Sequence, residues 1–148
     1  MSAPMKLRNA TTTDLPRITS LLQENGLPVK GVPESLENFL VAVDPRGDLV
    51  GVAGFEHYGE SCLLRSVAVD KHFRGQGYAR VLTGTVLEKA RGKGVSKAYL
   101  LTDSASAYFE GLGFQQVNRN EVDESVKASI EFVELCSESA VAMRKFLE

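Results

Sequence analysis

The residues with the clearest chemical meaning lie in V67-A-V-D-K-H-F-R-G-Q-G-Y-A-R80. An apolar strand pattern runs into a basic loop with two glycines, and an amphipathic helical pattern follows. Glycines let the backbone approach a ligand closely, and successive N–H groups at a helix N-terminus converge on one spot. Lys71 and Arg74 add positive charge beside them. The arrangement is an anion cradle, and a phosphate is the anion it suits. Two familiar phosphate loops do not fit. The pattern G-x-x-x-x-G-K-[ST] is absent, and the dinucleotide fingerprint needs a third glycine where this chain has Arg80. A strand-to-helix turn with no ligand is the plain alternative.

The rest of the composition narrows the class. The chain has 148 residues, 43% hydrophobic and 24% charged, which suits one domain over 1–148 with a buried core. A net charge of −2 gives no general pull toward nucleic acid. No apolar run approaches the roughly 20 residues that span a bilayer. The polar start M-S-A-P-M-K-L-R carries no secretory apolar region, so a cytoplasmic protein with reduced Cys62 and Cys136 is expected. Those cysteines and the two histidines, His57 and His72, lack metal-ligand spacing, and no metal is expected. Charge is uneven, however. The stretch from Asp70 to Lys97 is basic around the glycine loop, whereas the stretch from Asn120 onward is acidic.

Patterning supplies the elements that would position the loop. Lys6-Leu7-Arg8 is a short strand, and Thr12 or Thr13 caps a helix carrying Leu15, Ile18, Leu21 and Leu22 on one face. Asn25-Gly26 ends that helix. Residues 39–43 and 49–58 form a hairpin around P-R-G-D, and 62–69 is another strand. A helix follows from Gln76 to Arg91, then a strand at 97–101, a short helix at 105–112 and a strand at 114–117. Residues 121–129 read as helical and 140–146 as the closing strand. This order predicts an α/β (α+β) fold, a mixed sheet of about seven strands with helices on both faces.

With the loop and its flanking elements in place, R74-G-Q-G-Y-A79 after V67-A-V69 resembles the acetyl-CoA loop of the Gcn5-related N-acetyltransferases, the GNAT family. His72 stands in the slot that usually holds Gln or Arg. A second block, A105-S-A-Y-F-E-G-L-G-F114, resembles the family's strand-end, short-helix, Gly-Phe segment. The resemblance spans essentially the whole chain. It implies a single domain whose sheet splays in the middle, between the strand ending at Val69 and the strand at 97–101. It also implies acetyl-CoA as co-substrate, with the backbone of Val67, Ala68 and Val69 along the pantetheine arm. Arg74, Gly75, Gln76, Gly77, Tyr78 and Ala79 would then hold the pyrophosphate.

In the reaction that the resemblance implies, an amine attacks the thioester directly in a ternary complex. The amide of Val67 would stabilise the oxyanion. Glu56 and His57 lie closest in the chain to the usual position of the base, with an exposed strand end as their plain reading. Thr102 replaces an asparagine common at that strand end. The tyrosine that usually protonates the leaving thiolate is replaced by Phe109, and neighbouring Tyr108 is turned by roughly 100° on a helix. Tyr108 is therefore expected to pack or face the substrate rather than supply the proton. Arg65 and Ser66 interrupt the apolar L63-L-R-S-V-A-V69 and are expected near the substrate. With period-two alternation Arg65, Val67 and Val69 share one face. A guanidinium there must meet either an anionic substrate or a carboxylate such as Glu56.

L64-R-S-V-A-V69, T102-D-S-A-S-A-Y-F109 and L135-C-S-E-S-A-V-A-M-R144 resemble the small bacterial branch associated with arsenic-resistance operons. That resemblance implies a small primary amine, amino-acid-like with an anionic or toxic group such as phosphinate or arsinate. Homodimers are common in the family, and neither nucleic acid nor membrane is an expected partner. A non-catalytic acyl-CoA-binding or sensor module of the same fold is the alternative, favoured by Phe109 and by the lack of a carboxylate on 63–67.

Overall fold

The computed structural model describes residues 5–129, 132 and 140–147. Cys136 and four acidic residues of the late stretch, Glu131, Glu134, Glu138 and Glu148, lie outside the described residues. Seven strands form one sheet: β1 (Lys6–Asn9), β2 (Phe39–Val43), β3 (Leu49–Tyr58), β4 (Ser61–Val69), β5 (Lys97–Thr102), β6 (Gln115–Val117) and β7 (Val141–Phe146). Their order is β1-β2-β3-β4-β5-β7-β6. Only β4 and β5 run parallel; every other neighbouring pair is antiparallel. The helices are α1 (Leu15–Glu24), α2 (Tyr78–Gly92), α3 (Ser106–Glu110) and α4 (Glu124–Lys127). The expected mixed sheet with helices on both faces is thus present.

Alternation along the strands divides the core in two. Leu40 and Ala42 of β2, Ala53 and Phe55 of β3, and Cys62 and Leu64 of β4 pack with Leu82, Val86 and Ala90 of α2. On the other face Phe39, Val41 and Val52 pack with Ile18, Leu21 and Leu22 of α1. Leu63 and Tyr99 continue that face toward Val122 and Val126 beside α4. Gly54 belongs to this packing by necessity, because a Cβ there would come within 2.4 Å of the Phe39 ring. The late helix is shorter than its pattern predicts. A 3-10 turn at Arg119–Glu121 precedes α4, and Asp123 between them accepts from Lys97 and Tyr99 at 3.1 Å and from the Ser61 hydroxyl. These side chains of β4 and β5 claim Asp123 and interrupt a continuous helix.

The alternation is broken where β2 and β3 meet at Ala42 and Val43, and again, at the site, inside β4. Gly54 pairs with Arg65, but Val52 pairs with Ala68, so Ser66 and Val67 together oppose the single residue Ala53. This is a β-bulge, and it reverses the faces beyond it. Arg65 therefore does not share a face with Val69 as simple alternation predicts. Val69 packs toward α2, and Ala68 toward α1.

At the N-terminal edge, the capping residue differs from the expected Thr12 or Thr13. Thr11 heads a 3-10 turn over Thr12–Asp14, and Asp14 occupies the N-cap of α1. The Asp14 carboxylate accepts from Arg8 through both oxygens, at 2.7 and 2.9 Å, and from the Thr11 amide at 2.8 Å. The Arg8 hydrogen bonds hold its pKa at about 2. A carboxylate with a folded pKa below its unfolded value stabilises the fold above the unfolded pKa, and that contribution is lost as pH falls through the folded one. Asp14→Asn is expected to lower stability at pH 7 by about 1–2 kcal/mol, the range discounted because Arg8 is half exposed. In urea unfolding the gap between wild type and variant should close as pH falls from about 4 toward 2.

Candidate active site

β4 and β5 are paired over only three positions, Ser61 with Lys97, Cys62 with Ala98 and Leu63 with Tyr99. Beyond them the strands part, and a cleft of about 680 Å³ opens between Leu64–Val67 and Leu100–Thr102. Asn25 to Pro28, just after α1, wall it at one end. Ala79 of α2 with Tyr108 and Phe109 of α3 wall it at the other. The strand edge of β4 facing β5 is therefore without a strand partner where the cleft passes it.

The glycine loop stands at the α2 end. Gly75 and Gly77 adopt left-handed φ values of 79° and 83°, which side chains with a Cβ rarely take. Gly77 is the N-cap of α2 and brings no capping side chain; the first bond of the helix runs from the Val81 amide to the Gly77 carbonyl. The amides of Tyr78, Ala79 and Arg80 accordingly have no partner within the helix, and the helix dipole adds to them. A Cβ at either glycine would meet nothing within 4 Å, so the space above the loop is open. These features fit a phosphate-bearing ligand. Arg74 does not overhang that space: its Nη2 donates to Asn25 Oδ1 at 2.7 Å and its Nε to the Val69 carbonyl at 3.3 Å. Arg74 thereby ties the loop to the end of α1. Tyr78 is buried and stacks on Phe73, while Gln76 is exposed.

The polar residues singled out in β3 and β4 do come together, though not in the cleft alone. Arg65 has a wholly buried side chain, and its Nη1 lies 2.6 Å from Glu56 Oε2. Its Nη2 donates to the Lys30 carbonyl at 2.8 Å and its Nε to Ser66 Oγ at 3.1 Å. The other oxygen of Glu56 accepts from the Tyr58 hydroxyl. Burial, with Glu56 holding the proton, pushes the Tyr58 phenol well above its ordinary range. Glu56 is thus paired at both oxygens and stands behind the cleft, not among the residues that line it. His57 is exposed and bonds the Gly59 carbonyl at the hairpin end, 2.8 Å away. Arg65, Ser66 and Val67 do line the cleft.

On the opposite wall Thr102 Oγ1 accepts from the Ala105 amide at 3.0 Å and so shapes the entry into α3. Phe109 packs edge-on against Phe114, which is buried, with ring centroids 5.9 Å apart. Tyr108 is exposed, and partial burial raises its pKa while nearby Arg80 lowers it. Both aromatic residues line the cleft, Phe109 packed on the core and Tyr108 exposed. Sequence reasoning missed the wall from Asn25 to Pro28 and the carbonyl of Lys30. A buried arginine signals that such acceptors exist, but not where they lie in the chain.

Comparison with known proteins agrees with this geometry. Residues 35–116 match the family model described as Acetyltransferase (GNAT) domain. An amino-acid acetyltransferase of Neisseria meningitidis is 28% identical over 129 residues, covering 82% of this chain and 30% of that protein. The chain therefore spans about a third of the length of this relative. An uncharacterized N-acetyltransferase of Chlorobaculum tepidum is 27% identical, over 76% of this chain and 77% of that protein. Among solved structures, N-acetylglutamate synthase from Neisseria gonorrhoeae, complexed with coenzyme A and N-acetyl-glutamate, superposes with a TM-score of 0.85 at 22% identity. It covers all of this chain and 36% of that one. Rv2747 from Mycobacterium tuberculosis, in complex with CoA, gives a TM-score of 0.79 at 23% identity over 97% of this chain and 99% of that one. A family match over more than half of the sequence, on the strands and loop that build the cleft, places the chain in the GNAT family of acetyltransferases.

Proposed function

We propose that the chain acetylates the primary amine of a small, amino-acid-like acceptor, by direct attack within a ternary complex. The observation that carries this reading is the cleft through the splayed sheet, lined by polar Arg65, Ser66 and Thr102, with the uncapped amides of α2 at the glycine loop beside it. The amides from Gly75 to Ala79 hold the pyrophosphate, and the open edge of β4 at Val67, Ala68 and Val69 pairs with the extended pantetheine arm as another strand would. The Val67 amide meets the thioester oxygen as negative charge develops there. A bond forms from the neutral acceptor nitrogen to the carbonyl carbon, the carbon–sulfur bond breaks, the thiolate departs, and the second proton of the nitrogen passes to water or to the departing sulfur.

Glu56 serves this reaction as the buried counter-ion of Arg65, so the proton of the acceptor ammonium leaves through water in the cleft. Thr102 holds the start of α3 against the acceptor, and Tyr108 flanks the entrance. Support for an amino-acid acceptor comes from the relatives named amino-acid acetyltransferase. Amino acids bearing phosphinate or arsinate belong to the same acceptor class, and the arsenic-operon resemblance adds them.

The test is thiol release from acetyl-CoA across a panel of amino acids, their phosphinate and arsinate analogues, polyamines and peptide N-termini. Turnover is expected with the acidic amino acids and their analogues; turnover confined to polyamines or peptides overturns the acceptor assignment. Phe109 in place of a proton donor favours one second reading, an acyl-CoA-binding module, and binding without thiol release from any amine would establish it.

Two substitutions check the assigned ends of the cleft. Gly77→Asp sets a carboxylate among the loop amides and should weaken acetyl-CoA by roughly 100-fold or more in calorimetry, with the cooperative unfolding transition retained. Tyr108→Phe should keep most of the turnover. A loss of several hundredfold with acetyl-CoA binding intact would make Tyr108 the acid.

A further inference from the structure

Ser66 is the one non-glycine residue with positive φ among the described residues, at 61°. It sits in the β4 bulge, is 7% exposed, and lines the cleft. Its Oγ accepts from Arg65 Nε at 3.1 Å, which occupies a lone pair and leaves the hydroxyl proton for another acceptor. Among the described residues none takes it. A buried donor held in a strained backbone, beside the amide assigned to the thioester, is a group waiting for a ligand atom.

The identity of that atom follows from the face on which Ser66 is held. Leu64 packs toward α2, whose N-terminus carries the glycine loop; Arg65 points to the opposite face, where its guanidinium meets Glu56 and the carbonyl of Lys30. A hydroxyl tethered to Arg65 is therefore drawn toward the acceptor end of the cleft. A hydroxyl that accepts from a guanidinium is a stronger donor, and an anionic oxygen is its best acceptor.

We propose that the Ser66 hydroxyl donates to the acidic group of the acceptor, a carboxylate or phosphinate oxygen. Arg65 is the positioning residue that orients Ser66 without touching the acceptor. This rests on the amino-acid acceptor proposed above.

The experiment uses the full chain with acetyl-CoA, L-glutamate and its α-amide, and compares wild type with Ser66→Gly, Ser66→Ala, Arg65→Lys and the Arg65→Lys/Ser66→Gly double variant. Loss of one hydrogen bond to a charged group predicts a KM for glutamate raised roughly 10- to 100-fold in each Ser66 variant, with kcat falling far less. The KM for acetyl-CoA should hold, and the preference for glutamate over its amide should shrink. Both Ser66 variants leave Arg65 Nε without its acceptor, but Ser66→Gly relieves the left-handed strain that Ser66→Ala keeps, so its Tm should exceed that of Ser66→Ala while glutamate binding weakens equally in the two. A merely structural serine would move both together. Because Arg65 acts through Ser66, Arg65→Lys should add little to the KM of Ser66→Gly. An unchanged KM in the Ser66 variants overturns the proposal. A further tenfold rise in the double variant gives Arg65 a direct contact and overturns its positioning role. Failure of wild type to acetylate any amino acid overturns the acceptor reading itself, and this proposal with it.

Discussion

Backbone amides and carbonyls in a protein interior must be paired, and that requirement falls hardest on β4. As far as Leu63 the strand is flanked by β3 on one side and β5 on the other. Past Leu63 the β5 side is open, while Leu64, Arg65 and Ser66 stay buried. The exposed main-chain groups can be met only by water or by an extended ligand that mimics a strand. The rest of the centre is arranged around that gap. β5 turns away into α3, the β4 chain continues into a loop with two left-handed glycines, and α2 begins with its amides uncapped. Strand edge and helix terminus thus offer two kinds of unmet donor along one path, which suits a cofactor with a peptide-like arm and a pyrophosphate.

Opening a sheet at its centre removes cross-strand bonds, and the polar pair beside the gap offsets part of that loss. Arg65 and Glu56 sit on adjacent strands, both buried, at 2.6 Å. Such a pair is stabilising only when its remaining donors and acceptors are also met, and removing one partner costs about 3–5 kcal/mol. Here they are met by groups from separate parts of the chain: the Lys30 carbonyl after α1, Tyr58 at the end of β3, and Ser66 in the bulge. The pair therefore fixes the loop that walls the acceptor end relative to the strand that presents the Val67 amide. Arg74 repeats the device, joining the glycine loop to Asn25, which also lines the cleft.

Much of this was legible in the sequence, because the relevant signals are local. Period-two runs placed β3 and β4, the apolar face of Leu82, Val86 and Ala90 placed α2, and Gly75 and Gly77 marked the loop. Two blocks in order identified the splayed sheet. What escaped depends on tertiary pairing. The bulge has no local signature beyond the polar Arg65-Ser66 step, and one extra residue there reverses the alternation that put Arg65 with Val69. Glu56 as a base was drawn from its place in the chain, but Tyr58 and Arg65 take both its oxygens, and only their side-chain directions reveal it. The reading of 121–129 as helical is too long at its start: Asp123, whose carboxylate is committed to Ser61, Lys97 and Tyr99, heads a helix that begins only at Glu124.

The pairing of Glu56 at both oxygens and the phenylalanine at 109 bear on how the proposed reaction moves its protons. Phe109 contributes packing against Phe114 and nothing titratable. A thiol pKa of about 8.5 lets the sulfur leave as thiolate near neutrality, so no acid is required at that step. The acceptor ammonium must lose a proton first, and water in the open cleft can carry it. In the reaction proposed above, transfer is accelerated by orientation and by the Val67 amide, effects that need rigid groups rather than groups of tuned pKa. The polar side chains at the acceptor end fit that demand. Arg65 is held at three of its nitrogens, and Thr102 is fixed on the Ala105 amide. Rate in such a site follows the supply of neutral amine and the accuracy with which it is placed. The strain kept at Ser66 is then a cost set against placement, located one residue from the amide that the oxyanion must reach.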